Sequence, residues 1–298
     1  MNTPAASAAD DAPPPCQLPD LSPRRPTIVV PPGACDCHAH IWAPPERYPY
    51  RPNRRHTPAA AGIAEYRHML AALGLERAVI VQTGIYPDNQ VTLDAIGTSN
   101  GTWRGIALLK AGVSDREIER LHGAGFRGVR FNPRNEKETG LNGIEEVAAR
   151  IKQYGWHLQL HLDARDLTQI GARLERLPTD LVIDHFGHMP TAEGLTHPGF
   201  QRLLGMLRER RCWVKLSAPN RFREPRPPYP ALIPYAHALI EAAPDRVVWA
   251  SDWPHSRFKG YMPNDGELLD LLALWAPDAG LRQKILVDNP AQLYDFPR

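Results

Sequence analysis

Cysteine, net charge and long apolar runs are all scarce in this chain. Only four cysteines occur among 298 residues: Cys16, Cys35, Cys37 and Cys212. Cys35 and Cys37 lie two apart on one predicted strand and are badly placed to bond each other. They read as reduced, buried thiols facing away from the histidines beside them, not as a disulfide framework. A Cys/His zinc knuckle would need a second ligand pair close by, and the sequence has none. The formal net charge is +2, too balanced for a nucleic-acid partner or a membrane surface. No apolar stretch reaches the roughly 20 residues of a membrane helix. Residues 1–30 lack the basic start and apolar run of a secretory signal, so the expectation is a cytoplasmic protein. Three motifs are also missing. No Gly-x-Gly-x-x-Gly turn follows the first strand, which argues against dinucleotide binding. No P-loop is present, and no Gly-x-Ser-x-Gly elbow marks a serine α/β-hydrolase.

Proline, by contrast, is abundant at 31 residues. Much of it falls in residues 1–30, which read as a flexible Pro-rich tail, and in Arg223–Pro230, which reads as a stiff loop. From residue 31 to 298, short apolar runs alternate with amphipathic segments. Strands are expected at Cys35–Ile41, Ala78–Gln82, Gly105–Leu109, Gly128–Asn132, His157–Leu162, Leu181–Phe186, Trp213–Ser217 and Val247–Ser251. Helices are expected at Ala64–Leu73, Ser114–His122, Leu141–Tyr154, Ala164–Leu177, Phe200–Arg210, Pro230–Ala243 and Gly266–Ala276. Ser114 reads as an N-cap with Glu117 completing a capping box. Eight strands alternating with helices in one unbroken domain imply a parallel sheet closed into a (β/α)8 TIM barrel.

Active sites in that fold sit at the C-terminal mouth of the strands. Several polar residues fall at or near predicted C-terminal strand ends: His38, His40, Arg130, Asn132, His161, His185, Lys215, Ser217 and Asp252. His38 and His40, two apart on a strand, project to the same side. With His161 and Asp252 they make a plausible set of ligands for one divalent metal, Zn²⁺ or Mn²⁺, with a position left for water. Such a metal would lower the pKa of its water and polarise an ester carbonyl. Without metal, Asp252 would act as general base on a water, with His185 moving a proton. The plain alternatives are that His157 and His161 pack under helices and that Asp252 caps the following helix. Arg130 and Arg221 suit an anionic substrate by bidentate pairing. Tyr50, Gln82 and His255 are weaker loop candidates for substrate contact.

Several stretches resemble the amidohydrolase superfamily, and within it the 2-pyrone-4,6-dicarboxylate lactonase branch. They are Pro32–His40, Val79–Gln82, Arg127–Asn132, Val182–His188, Trp249–His255 and Val287–Tyr294. The resemblance runs from about Pro31 to the C-terminus. It implies a (β/α)8 barrel that opens an anionic lactone, whether pyrone-dicarboxylate-like, sulfomuconolactone-like or of a sugar acid. By position it makes His38, His40, His185 and Asp252 active-site residues, and Arg130 and Arg221 clamps on the substrate's anion. A lactone isomerase or a metal-dependent decarboxylase of the same superfamily is the alternative reaction, and a barrel kept only for binding is a third reading. Two departures stand out. The further arginine that follows Arg-Phe-Asn in pyrone-dicarboxylate enzymes is shifted or absent in Pro133–Lys137. His161 occupies a fifth-strand position that metal-dependent amidohydrolases use for a ligand. The expected partner is a small anionic lactone, with the chain a monomer or small homo-oligomer.

Overall fold

A computed structural model describes residues 13–134 and 140–297. Eight parallel strands lie in the order of the chain: β1 Cys35–Ala39, β2 Arg77–Val81, β3 Trp103–Ala107, β4 Phe126–Phe131, β5 His157–Leu160, β6 Leu181–Ile183, β7 Cys212–Ser217 and β8 Val247–Ala250. The residues after β8 close the ring onto β1. Asp252 N–H donates to His38 O at 3.0 Å and His40 N–H to Trp253 O at 2.8 Å. The molecule is therefore a (β/α)8 barrel, as the alternation predicts.

The crossover helices are α1 Ile63–Leu73, α2 Gln90–Gly97, α3 Asp115–Gly123, α4 Ile144–Ile151, α5 Leu167–Leu174, α6 Pro198–Arg208 and α7 Ile233–Ala242. After β8 come α8 Asp265–Asp270, α9 Leu272–Trp275, α10 Ala279–Gln283 and α11 Asn289–Tyr294. Helix α2 is absent from the sequence expectation. It is eight residues long and carries Val91, Thr92 and Ile96, β-branched residues that weaken a helical signal. Ser114 does cap α3, accepting from Glu117 N–H at 3.2 Å. The Glu117 carboxylate turns to Arg120 at 2.8 Å, so the described contacts show only half of the expected capping box.

Strand register shifts at two places, between β1 and β2 and between β3 and β4, and the first of them shapes the site. Between β1 and β2 the register runs Asp36 to Ala78 and then Ala39 to Ile80, so β1 holds one extra residue, a β-bulge. Cys35 and Cys37 consequently do not face away from the barrel interior. They pack inside it with Val79, Val81, Ile106, Val182, Trp213, Val248 and Ala250, above a floor of Leu293, Tyr294 and Phe296. The bulge lets Cys37 point inward and His38, the next residue, still reach the mouth. Gly128 on β4 makes room lower down: a Cβ there would stand 2.7 Å from the imidazole Nε2 of His157.

Residues 13–30, expected as the end of a tail, lie along the barrel in the described structure. Cys16 N–H donates to Thr57 O at 2.8 Å and Thr57 N–H to Pro14 O at 2.9 Å. Arg24 N–H reaches Asn264 Oδ1 at 3.0 Å, and Thr27 N–H reaches Asp270 Oδ1 at 2.7 Å. Residues 1–12 of that expected tail lie outside the described residues, as do residues 135–137 of the shifted-clamp segment. No described helix is long and apolar enough to cross a membrane.

Candidate active site

Three strand ends deliver the central groups by the same device. His185 follows β6, Ala218 follows β7 and Asp252 follows β8, with φ of 54°, 53° and 63°. Left-handed backbone in a residue other than glycine costs on the order of 1–3 kcal/mol, and it persists where surrounding contacts over-determine it. Here it turns the chain sharply at the barrel mouth, so that His185 and Asp252 face each other instead of running on with their strands.

Asp252 is the hub. Its Oδ1 lies 3.8 Å from His38 Nε2, 3.9 Å from His40 Nε2 and 3.6 Å from His185 Nε2. Its Oδ2 accepts from Arg221 Nε at 2.7 Å, and the Arg221 guanidinium also donates to Ser256 O at 3.0 Å. One carboxylate oxygen is thus tied down and the other looks into a ring of imidazoles. His40 Nδ1 is 2.7 Å from Val81 O, and a carbonyl only accepts, so Nδ1 carries the hydrogen. Burial pushes the His40 pKa down to about 4, leaving a neutral ring whose Nε2 presents its lone pair to His38 Nε2, 3.3 Å away. His185 is fixed by Ser217 Oγ at 2.7 Å from Nδ1. Burial holds His38 and His185 well below the usual imidazole range, and the positive charge of Lys215 adds to this at His38.

A buried polar floor supports the imidazoles. Asp184 is wholly buried. It lies 3.3 Å from His38 Nδ1, 3.5 Å from Lys215 Nζ and 3.6 Å from an Arg130 nitrogen. Gln159 donates to Asp184 at 3.2 Å and accepts from Lys215 at 2.7 Å. Buried ions persist when paired and hydrogen-bonded, and this cluster is both. On the outer face of β1, the buried carboxyl of Asp36 accepts from Tyr66, the Ser251 hydroxyl and the Ser251 and His38 amides, which locks β1 to the turn carrying Asp252. Burial pushes the Asp36 pKa up to about 6.

The expected residues divide into two sets. His38, His40, His185 and Asp252 converge. Arg130 and His161 line the same cavity, of about 390 Å³, with Arg221 and Asp252. His161 does not join the His38–His40–Asp252 group, because its Nδ1 is 2.5 Å from Arg130 and its ring stacks on His188 with centroids 4.4 Å apart. Tyr50, Gln82 and His255, like His38 and His185 behind Asp252, are not among the cavity's lining residues. The Tyr50 hydroxyl donates to Ala43 O at 3.2 Å. Gln82 accepts from Thr92 at 2.6 Å, and His255 Nε2 meets Asp265 at 3.1 Å. The rim of arginines contributed by the β1–α1 loop, Arg51, Arg54 and Arg55, lies outside the strand-end pattern. The basic run Arg51-Pro-Asn-Arg-Arg-His56 is the sequence feature that marks this rim.

His38, His40 and Asp252 could hold a divalent metal, since one donor atom from each lies within 4.8 Å of the others. His40 fits best, because its hydrogen is committed to Val81 and Nε2 is left open. The donor set is two imidazoles and one carboxylate oxygen, which suits a metal with positions open for other ligands.

A closed (β/α)8 barrel with imidazoles and a carboxylate gathered at its mouth is the architecture of a barrel enzyme. The amidohydrolase family model matches residues 35–296, and the chain belongs to that family. It is 38% identical over 285 residues to the 2-pyrone-4,6-dicarboxylate hydrolase of Comamonas testosteroni, covering 92% of this chain and 93% of that one. It is 37% identical over 282 residues to the 4-sulfomuconolactone hydrolase of Hydrogenophaga intermedia, covering 92% of each. A ligand-free crystal structure from Agrobacterium tumefaciens superposes with a TM-score of 0.82 at 26% identity, over 91% of this chain and 99% of that chain.

Proposed function

We propose that this protein hydrolyses an anionic lactone, with Asp252 as general base. The observation that carries the reading is the divided carboxylate: Oδ2 is held by Arg221 while Oδ1 faces three imidazole Nε2 atoms within 3.9 Å, at the wall of a cavity. The two hydrolase relatives, each covered over nine-tenths of its length, support the same substrate class.

Asp252 Oδ1 takes a proton from a water that attacks the lactone carbonyl carbon. The ring C–O bond then breaks, and the departing ring oxygen needs a proton. His185, 3.6 Å from the same Oδ1, passes it on. Water thus supplies both the new carboxylate oxygen and the hydroxyl hydrogen. Charge developing on the carbonyl oxygen is offset by Arg130 and by the positive field of Lys215 beneath His38. Arg130 also has a buried Nε–H with no hydrogen-bond partner, a donor available to the substrate's anionic group. Arg221 has a different part, since it orients the base.

Where a metal binds, His38, His40 and Asp252 would hold it, and it would supply Lewis-acid polarisation and an acidified water. Hydrolysis of 2-pyrone-4,6-dicarboxylate, a sulfomuconolactone and a sugar-acid lactone in ¹⁸O-labelled water tests the reaction. One solvent oxygen in the new carboxylate is the expected result. Product formation without label would replace hydrolysis by isomerisation.

A further inference from the structure

The cavity wall carries far more positive charge than the chemistry at Asp252 requires. Arg51, Arg54, Arg55, Arg130, Arg221 and Arg257 all line it, and Asp252 is its one carboxylate among the described residues. Arg130 and Arg221 lie within ion-pair distance of Asp184 and Asp252. Arg51, Arg54, Arg55 and Arg257 have no carboxylate partner among the described residues. Elsewhere on the surface Arg47, Arg120, Arg150, Arg165 and Arg173 pair with carboxylates, while Arg67, Arg211 and Arg282 donate to backbone carbonyls. Uncompensated guanidinium groups gathered in a concave site are the electrostatic complement of an anion.

Arg54 is also built into place. Its guanidinium lies over the Tyr50 ring, with Cζ 5.4 Å from the centroid, and donates to Thr57 Oγ1 at 3.2 Å and Arg51 O at 3.5 Å. Thr57 is gripped in turn by the N-terminal strap: its hydroxyl donates to Pro13 O at 2.8 Å and its amide to Pro14 O at 2.9 Å. The Arg54 Nε–H is buried and without a partner. Arg130, from β4, has the same unpaired Nε–H in the same cavity.

We infer that Arg54 and Arg55, on the β1–α1 loop, form a second anion subsite that takes a second carboxylate or sulfonate of the substrate, separate from the anion held at Arg130. The inference rests on the lactonase reading, to which it adds a preference for dianions. It also gives the second clamp a source other than the Pro133–Lys137 segment. The N-terminal strap becomes a brace for this subsite, through Thr57.

The test compares wild type, Arg54→Gln and Arg55→Gln on 2-pyrone-4,6-dicarboxylate and on a 2-pyrone bearing one carboxylate. In each variant the ratio of kcat/KM for the dianion to that for the monoanion should fall about tenfold or more, the loss of one charge-assisted hydrogen bond. The loss should be carried by KM, with Arg54→Lys restoring part of it. Arg55 is exposed, so Arg55→Gln keeps the test usable if Arg54→Gln folds poorly. In parallel, calorimetry with glutarate and butyrate measures dianion preference without turnover. A preference for glutarate that both variants lose would support the subsite even if no lactone were hydrolysed. Lactone turnover with an unchanged dianion-to-monoanion ratio, or equal affinity for glutarate and butyrate in wild type, would overturn it.

Discussion

Replacing Lys215 should cost stability and activity together, and the size of the loss follows from where it sits. Lys215 is fully buried on β7. Its Nζ is 3.5 Å from Asp184, 2.7 Å from Gln159 Oε1 and 3.3 Å from His38 Nδ1. At an effective dielectric of about 20, unit charges this far apart attract by ~5 kcal/mol, much of which offsets the desolvation of both groups. Lys215→Met leaves Asp184 buried with only Arg130, 3.6 Å away, as its remaining cation. The expected loss is about 3–5 kcal/mol, at the lower end because Arg130 stays. Asp184→Asn strands Lys215 in the same way. The double variant removes both charges and should lose clearly less than the sum, with a coupling energy of about 1–3 kcal/mol. Urea unfolding of all four proteins at one pH, with m-values compared, measures this. Losses that add to within about 0.5 kcal/mol would refute the view that the two form one charged unit under His38.

Other consequences follow from the same contacts. Arg221→Gln should lower kcat by about 10²-fold, because Asp252 loses the donor that orients it; Arg221→Lys, which cannot bridge Asp252 and Ser256 in the same fork, should recover only part of this in steady-state assays. Tyr50→Phe should change kcat less than about twofold and stability by no more than about 1 kcal/mol, since the hydroxyl meets Ala43 O and Tyr86, outside the cavity. If the purified protein carries zinc or manganese, His38→Ala should abolish its retention and His161→Ala should not, as read by elemental analysis. His157 gives a pH dependence. Burial, with Lys215 adding, pushes its pKa down to about 3, below the ordinary imidazole value of 6.5, so the folded state resists its protonation. Its contribution is complete above pH 6.5 and is lost as pH falls toward 3, by up to about 1.4 kcal/mol per pH unit. His157→Phe should flatten the acid limb of the stability profile by up to that slope.

The barrel was legible because β/α alternation and apolar strand cores are local properties of the chain. The mouth residues His38, His40, His185 and Asp252 were legible because the fold places strand C-termini there. What escaped depends on non-local facts. The β1 bulge, which turned Cys35 and Cys37 inward, is a mismatch with β2 that parity along one strand cannot show. His161 has the right spacing for a ligand, but it groups with His185 and His188 and meets Arg130, apart from the His38–His40–Asp252 donors, a grouping between neighbouring strands. Gln82 and His255 carry polar groups at strand ends, yet Thr92 and Asp265 claim them. The reach of Arg54 into the cavity depends on Tyr50, Thr57 and a strap more than thirty residues upstream, which pattern along the loop does not reveal.

The central claim, that Asp252 is the base for lactone hydrolysis, is tested most directly by kcat of Asp252→Asn on the best lactone substrate, with circular dichroism and unfolding to verify the fold. Loss of about 10²–10⁴-fold with the barrel intact is the predicted result. A folded variant that keeps kcat within about threefold of wild type would contradict it.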